Sequence, residues 1–172
     1  KLKVKHQNTN KQKINFKKKE KIITFVGKLN KAKGYDIFGE AVVQILNKHE
    51  KWKAIVIGDE EREKINFYHK NLKMLGFQKH INVINNFRKT SIAVVCSRWE
   101  EPFGRTSLEA ASCGCAVVIT NRGGLPETIT NGIIINELNT KNVFNALDQL
   151  ISNNKNRTKL QKLSYNNFYL TN

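Results

Sequence analysis

Apolar and polar positions along this chain switch between two periods, and the switches predict the elements. Ile22-Ile23-Thr24-Phe25-Val26 is a near-continuous apolar run ending at Gly27, the pattern of a strand buried on both faces. A loop rich in Lys and Gly runs to Lys33-Gly34. Ile37/Phe38, Ala41/Val42 and Ile45/Leu46 then recur every four residues, which predicts one face of a helix. Ala54-Ile55-Val56-Ile57, closed by Gly58, predicts a second buried strand. The spacing of Ile65, Tyr68, Leu72 and Leu75 predicts a helix, and Ile81-Asn82-Val83-Ile84 a third strand. Ile92-Ala93-Val94-Val95-Cys96 predicts a fourth, a helix follows over 104–113, and Ala116-Val117-Val118-Ile119 predicts a fifth. Ile133-Ile134-Ile135 is a short sixth, and two helices, around 140–153 and 155–168, end the pattern.

Strands alternating with helices predict an α/β fold, a doubly wound, Rossmann-like parallel six-stranded sheet with helices on both faces. Ligands of such sheets bind at the carboxyl ends of the strands, near the switch in strand order, where Gly27, Gly58 and Gly104 fall. One joint is too short. Only the stretch Asn86 to Ser91 separates the expected third and fourth strands, whereas a parallel crossover needs at least about 10–12 residues. The sequence there reads as if a segment were skipped.

Length and charge narrow the picture further. The 172 residues, 40% of them hydrophobic, suit one folded domain with a real core. The formal charge is +16, and half of it lies on residues 1–19, which hold eight Lys and no acid. Residues 1–19 are therefore expected to be a basic flexible arm or linker remnant, with the folded domain over 20–172. The excess is mostly Lys, whereas specific nucleic-acid readers favour Arg for bidentate contacts. No specific nucleic-acid partner is expected, and an anionic membrane surface is the charged partner kept in view.

Cys96, Cys113 and Cys115 are odd in number and lack C-x-x-C spacing, which argues against a disulfide framework and a zinc site and for buried packing residues. His6, His49, His69 and His80 are scattered and carry no expected chemistry. No apolar run reaches the roughly 18–20 residues of a membrane span, and no apolar stretch of a signal peptide follows Lys1-Leu2-Lys3-Val4-Lys5. The expected location is the cytoplasm, with a peripheral place at the inner face of the membrane.

The stretch from Ser97 to Ala110 carries the most chemistry. Glu101 and Glu109 flank the turn Phe103-Gly104-Arg105 that opens a helix, and a helix start offers free N–H groups and partial positive charge to an anion. Glu101, before the helix, and Glu109, one turn inside it, would face opposite ends of one bound molecule. Bland readings stand beside this one. Thr106-Ser107-Leu108-Glu109 is also a capping box, Lys28 and Lys33 are solvated by default, Gly123-Gly124 reads as a turn, and Trp99 as a loop cover.

Glu101-Pro102-Phe103-Gly104 with Glu109-Ala110, then Cys113-Gly114-Cys115-Ala116-Val117-Val118 and Gly123-Gly124-Leu125-Pro126-Glu127, resemble the retaining GT-B glycosyltransferases of the GT4 type, in their C-terminal, donor-binding domain. Upstream, Gly27-Lys28-Leu29 and Lys33-Gly34 resemble the same family's Gly-Arg-Leu and Lys-Gly positions. The resemblance spans about residues 21–165 and implies one half of a GT-B fold. It implies a catalytic group of Glu101, Lys28 and Lys33, in which the lysines clamp the diphosphate of a nucleotide sugar and Glu101 touches the transferred sugar. Glu109 would accept from the ribose hydroxyls. Gly27 and the backbone of Phe103, Gly104, Arg105 and Thr106 would hold phosphate and sugar. The base would be read by the loop after the third strand, which makes Asn86 and Phe87 the candidates.

The family works without a metal or other cofactor, on a UDP-, GDP- or ADP-sugar. It uses a second, N-terminal acceptor-binding domain, so these residues alone are expected to bind donor but to transfer sugar, to a glycan, lipopolysaccharide or similar acceptor, poorly or not at all. Lys28 stands where the family usually has Arg, keeping the charge but not the two-pronged fork. The alternatives are a non-transferring GT-B relative, such as a nucleotide-sugar epimerase or phosphorylase, and a basic nucleic-acid or membrane-surface module.

Overall fold

A computed structural model describes residues 14–168 of the chain. Six strands, β1 (Glu20–Val26), β2 (Lys53–Ile57), β3 (Leu72–Met74), β4 (Thr90–Val95), β5 (Ala116–Thr120) and β6 (Ile133–Ile135), form one all-parallel sheet in the order β3-β2-β1-β4-β5-β6. The helices are α1 (Tyr35–Lys48), α2 (His80–Lys89), α3 (Arg105–Ser112), the single turn α4 (Leu125–Thr128), α5 (Thr140–Ser152) and α6 (Asn154–Asn167).

Alternate strand residues feed two cores. Ile23, Phe25, Ala54, Val56, Ile92, Val94, Ala116 and Val118 pack with α1 and α5 on one face. Ile57, Ala93, Val117 and Ile119 pack with α2, α3 and α4 on the other. Burial on both faces is why β4 and β5 read as unbroken apolar runs. The last two helices start where asparagines stop the preceding chain: the side chains of Asn139 and Asn153 accept from the backbone N–H of Asn142 and Asn156 at 2.8 and 2.9 Å.

The stretch between β2 and β4 corrects three expectations. Ile81–Ile84 is not a strand; it is the first half of α2. Val83 and Phe87, four apart, are the buried pair, while Ile81 faces solvent. The third strand is Leu72–Met74, on the sheet edge. The helix expected from Ile65 to Leu75 does not form: Tyr68 is 86% exposed, and Phe67 instead packs edge-on against Tyr35, with ring centroids 5.7 Å apart. Nor is a segment skipped, since residues 75–89, including all of α2, make the crossover from β3 to β4.

Part of the expected arm lies against the domain. Residues 1–13 lie outside the described residues, but Ile14, Phe16 and Lys19 pack on the domain. Phe16–Lys18 is a 3₁₀ turn, and the Phe16 ring meets Tyr165 edge-on at 5.8 Å. The Lys19 ammonium donates to the carbonyl of Phe87, in the last turn of α2, at 2.8 Å, and to that of Cys113, which ends α3, at 2.7 Å. Burial lowers its pKa, with the Cys115 and Cys113 sulfurs pulling the other way. No helix among the described residues is long and apolar enough to cross a membrane.

Candidate functional site

The chain runs outward from β1 through β2 to the edge at β3, then returns to the other side of β1 as β4. The switch in direction opens a crevice between the carboxyl ends of β1 and β4, the place where a doubly wound sheet takes its ligand. Two loops line it, residues 27–34 after β1 and 96–104 after β4.

The loops are tied to each other. The Ala32 carbonyl accepts from the backbone N–H of Arg98 at 2.9 Å and of Trp99 at 3.2 Å, and from the Ser97 hydroxyl at 3.1 Å. The Arg98 guanidinium forks onto the Asp36 carboxylate at 2.7 and 2.8 Å. Burial alone would raise the Asp36 pKa; the hydrogen bonds and charge of Arg98, together with backbone N–H groups at the start of α1, outweigh it and hold the carboxyl below its usual range. Gly34 makes the approach possible: its φ is +70°, and a Cβ there would sit 1.9 Å from the Cys96 carbonyl oxygen.

This brace brings together two of the expected site residues. The Lys33 ammonium is paired directly with Oε1 of Glu101, with 33% and 15% of the two side chains exposed. The Gly123-Gly124 turn is a support for Glu101 as well as a turn. The N–H of Gly124 donates to the Glu101 carbonyl at 2.6 Å, and that of Gly123 to a Glu100 carboxylate oxygen at 2.5 Å. Gly123 has φ +51°, and a Cβ on it would lie 2.4 Å from the Glu101 carbonyl oxygen.

The start of α3 opens beside this pair. Gly104 is its N-cap, with no side-chain cap. Thr106 lies inside the helix, so the capping box does not form. Below the turn, the Ser107 hydroxyl donates to the Gly104 carbonyl at 2.7 Å and meets the Thr128 hydroxyl at 2.6 Å. Phe103 and Arg105 are exposed, Thr106 is half-buried, and the N–H of Arg105 donates to the Phe103 carbonyl at 3.0 Å. Glu109, free of the capping role, reaches out of α3 to Nε2 of His80 on α2, at 3.1 Å.

The remaining candidates separate. Gly27 turns the chain out of β1, its N–H donating to the Ile57 carbonyl at 3.0 Å. Lys28 is exposed at the same end of the sheet and lies near Glu60, whose carboxylate accepts from Asn30 at 2.9 Å. Asn86 and Phe87 are not in the loop after the third strand. They sit in the second half of α2, where Phe87 is a core residue, 1% exposed, and the Asn86 amide donates to the Asn82 carbonyl. That loop is 75–79, held at the carboxyl end by the N–H of Gly58 donating to the Gly76 carbonyl at 2.9 Å, with Phe77 exposed on it.

Sequence reasoning missed His80, whose role depends on reading 80–89 as a helix facing α3. It also missed the acidic run after β2, where Glu60 and Glu63 hold Asn30 and the Lys31 backbone. Cys96, Cys113 and Cys115 are free and buried; burial pushes the thiols of Cys96 and Cys115 up to about 12. Among the described residues no group of three or more His, Cys, Asp or Glu is placed to hold a metal ion.

A doubly wound parallel sheet with charged loops at its switch point has the architecture of a ligand-binding α/β domain. The profile of the family "Glycosyl transferases group 1" matches residues 6–167, and the chain belongs to that family. It is 32% identical over 162 residues to spore coat protein SA of Bacillus subtilis, covering 84% of this chain and 43% of that protein. The C-terminal domain of LpcC, a glycosyl transferase group 1 family protein from Francisella tularensis, superposes with a TM-score of 0.76 at 30% identity, covering 84% of this chain and 82% of that one. Anabaena Alr3699/HepE, solved in complex with UDP-glucose, shares the fold with a TM-score of 0.74 at 20% identity, over 86% of this chain and 43% of its own. The chain thus spans less than half the length of the curated relative it matches.

Proposed function

We propose that this chain is the donor-binding half of a retaining GT4-type glycosyltransferase, a hexosyltransferase-like enzyme that moves a sugar from a nucleoside-diphosphate sugar to a glycan, lipopolysaccharide or similar acceptor. The observation that carries this reading is the meeting of Lys33 and Glu101 in the crevice of a group 1 family fold, beside the uncapped start of α3. In this pair each charge neutralises the other. An arriving diphosphate offers the lysine more negative charge than one carboxylate does, so Lys33 moves to the phosphate. Glu101 is then released to accept hydrogen bonds from the sugar hydroxyls.

As the bond from the anomeric carbon to the diphosphate breaks, negative charge grows on the leaving phosphate. Lys33, Lys28 and the N–H groups between Phe103 and Thr106 stabilise it there. These positive groups do the work a bound metal would otherwise do, so the reading needs none. Gly27 lets the loop pass close to the phosphates, and Glu109 accepts from the ribose. The acceptor and the groups facing it come from a second, acceptor-binding half. The enzyme works in the cytoplasm, at the inner face of an anionic membrane that its lysines favour.

UDP is the first nucleotide to try, since it is bound by the structurally similar HepE. A thermal-shift comparison of UDP-, GDP- and ADP-sugars tests the reading. A donor present at about 100 times its Kd adds roughly 2.7 kcal/mol to stability. No stabilisation by any of the three would overturn it.

A further inference from the structure

We propose that His80 is a positioning residue of the nucleotide site: it holds one oxygen of Glu109 so that the other is turned to the ribose diol of a nucleoside diphosphate. This rests on the reading of Glu109 as the ribose acceptor. An ionised carboxylate only accepts hydrogen bonds. The 3.1 Å contact to Oε1 therefore requires the proton on Nε2 of His80, with the imidazole as donor. Oε2 remains for a ligand.

The geometry is supplied by two packed helices. His80 is the first residue of α2, and Val83 and Phe87 anchor that helix in the core beneath α3. Glu109 rises from the second turn of α3, next to the uncapped start that faces the crevice. The imidazole is 70% exposed and the carboxylate 22%. An exposed pair of this kind adds little to folding. Its effect is on orientation: a carboxylate with one oxygen already held loses less rotational freedom when the second oxygen is engaged.

The test is calorimetry on the 172-residue chain with UDP and with 2′,3′-dideoxy-UDP, comparing the parent with Glu109→Gln, His80→Ala and His80→Gln. His80→Ala is expected to weaken UDP binding about 2- to 5-fold. His80→Gln, which keeps an N–H donor, restores most of the loss. Neither substitution changes affinity for the dideoxy nucleotide, because it has no diol for Glu109 to accept from. If Glu109→Gln lowers the preference for UDP over dideoxy-UDP and His80→Ala does not, the positioning role is wrong and the ribose reading stands. If Glu109→Gln leaves that preference unchanged, the ribose reading itself fails. Equal weakening of both nucleotides by His80→Ala and His80→Gln, with unchanged thermal unfolding, would mean that His80 acts on phosphate or base, which also overturns the proposal.

Discussion

The Lys33 ammonium rests on the carboxylate of Glu101, so two groups with separate expected tasks, one for phosphate and one for sugar, are partners. The pair is partly buried, which sets its worth between that of a surface ion pair and that of a desolvated one. Lys33→Met leaves a mostly covered carboxylate without its partner and is expected to cost about 1–2 kcal/mol. Lys33→Met combined with Glu101→Gln should recover most of that loss. Urea unfolding of Lys33→Met, Glu101→Gln, the double variant and the parent measures it; full additivity would show that the pair contributes nothing.

Nucleotide binding separates the clamp from the general charge of the chain. A charge-assisted contact is worth about 1.5–3 kcal/mol, so Lys33→Met should weaken nucleoside-diphosphate binding roughly 10- to 150-fold. Deleting residues 1–13 removes five lysines. Salt screens charges over about 8 Å at physiological strength, and the expected loss is below about threefold. Calorimetry at one fixed salt concentration compares them, and a larger loss from the deletion would refute the clamp.

The fork between Arg98 and Asp36 should appear in the acid limb of the stability profile. The Asp36 pKa is depressed below 3.8 in the folded chain. Its contribution is therefore fully present above the unfolded value and is lost as pH falls through the folded one. Asp148, lowered first by its hydrogen bond from His49 and then by that from Lys48, acts in the same direction. Asp36→Asn is expected to lower the melting temperature at pH 7 and to leave it nearly unchanged at pH 2. Scanning calorimetry at both values checks this, and equal losses at the two would remove the fork from the acid response.

Three glycines with positive φ should respond very differently to alanine. A left-handed backbone alone costs a non-glycine residue about 1–2 kcal/mol. Gly76, with no neighbour within 4 Å of a new Cβ, should show only that. Gly34 and Gly123 add a collision with backbone oxygen, at 1.9 and 2.4 Å, and their loss should exceed about 3 kcal/mol. Gly123→Ala should also weaken donor binding, because the oxygen it strikes belongs to Glu101. Denaturant unfolding ranks the three; equal costs would mean the loops yield freely.

The strands were legible in the sequence to different degrees, and the pairing of Lys33 with Glu101 was not. β5 and β6 were legible because Ala116–Ile119 and Ile133–Ile135 are compact apolar runs next to glycine. β3 was not: it has only three residues, and Lys73 in its middle breaks the run. Ile81–Ile84 imitates a strand because three of its four side chains are apolar. Only the buried pair Val83 and Phe87 reveals the helical period. That one misreading moved the base-reading loop onto Asn86 and Phe87 and hid His80. Glycine-flanked motifs singled out Lys33, Glu101 and Glu109 as candidates. The pairing of the first two was not legible, because it depends on how far Ala32 is drawn toward Arg98.

Lys19 bears on where this polypeptide can be cut or joined. Its ammonium holds the carbonyl ends of α2 and α3 together, the two helices that carry His80 and Glu109. A fusion, tag or permutation point placed at Glu20, where the basic stretch gives way to the first strand, would remove that bolt from the back of the site. A joint ahead of Ile14 keeps it. The same geometry offers a handle for coupling the two helices, because any partner that draws on the segment before β1 pulls on both of them at once.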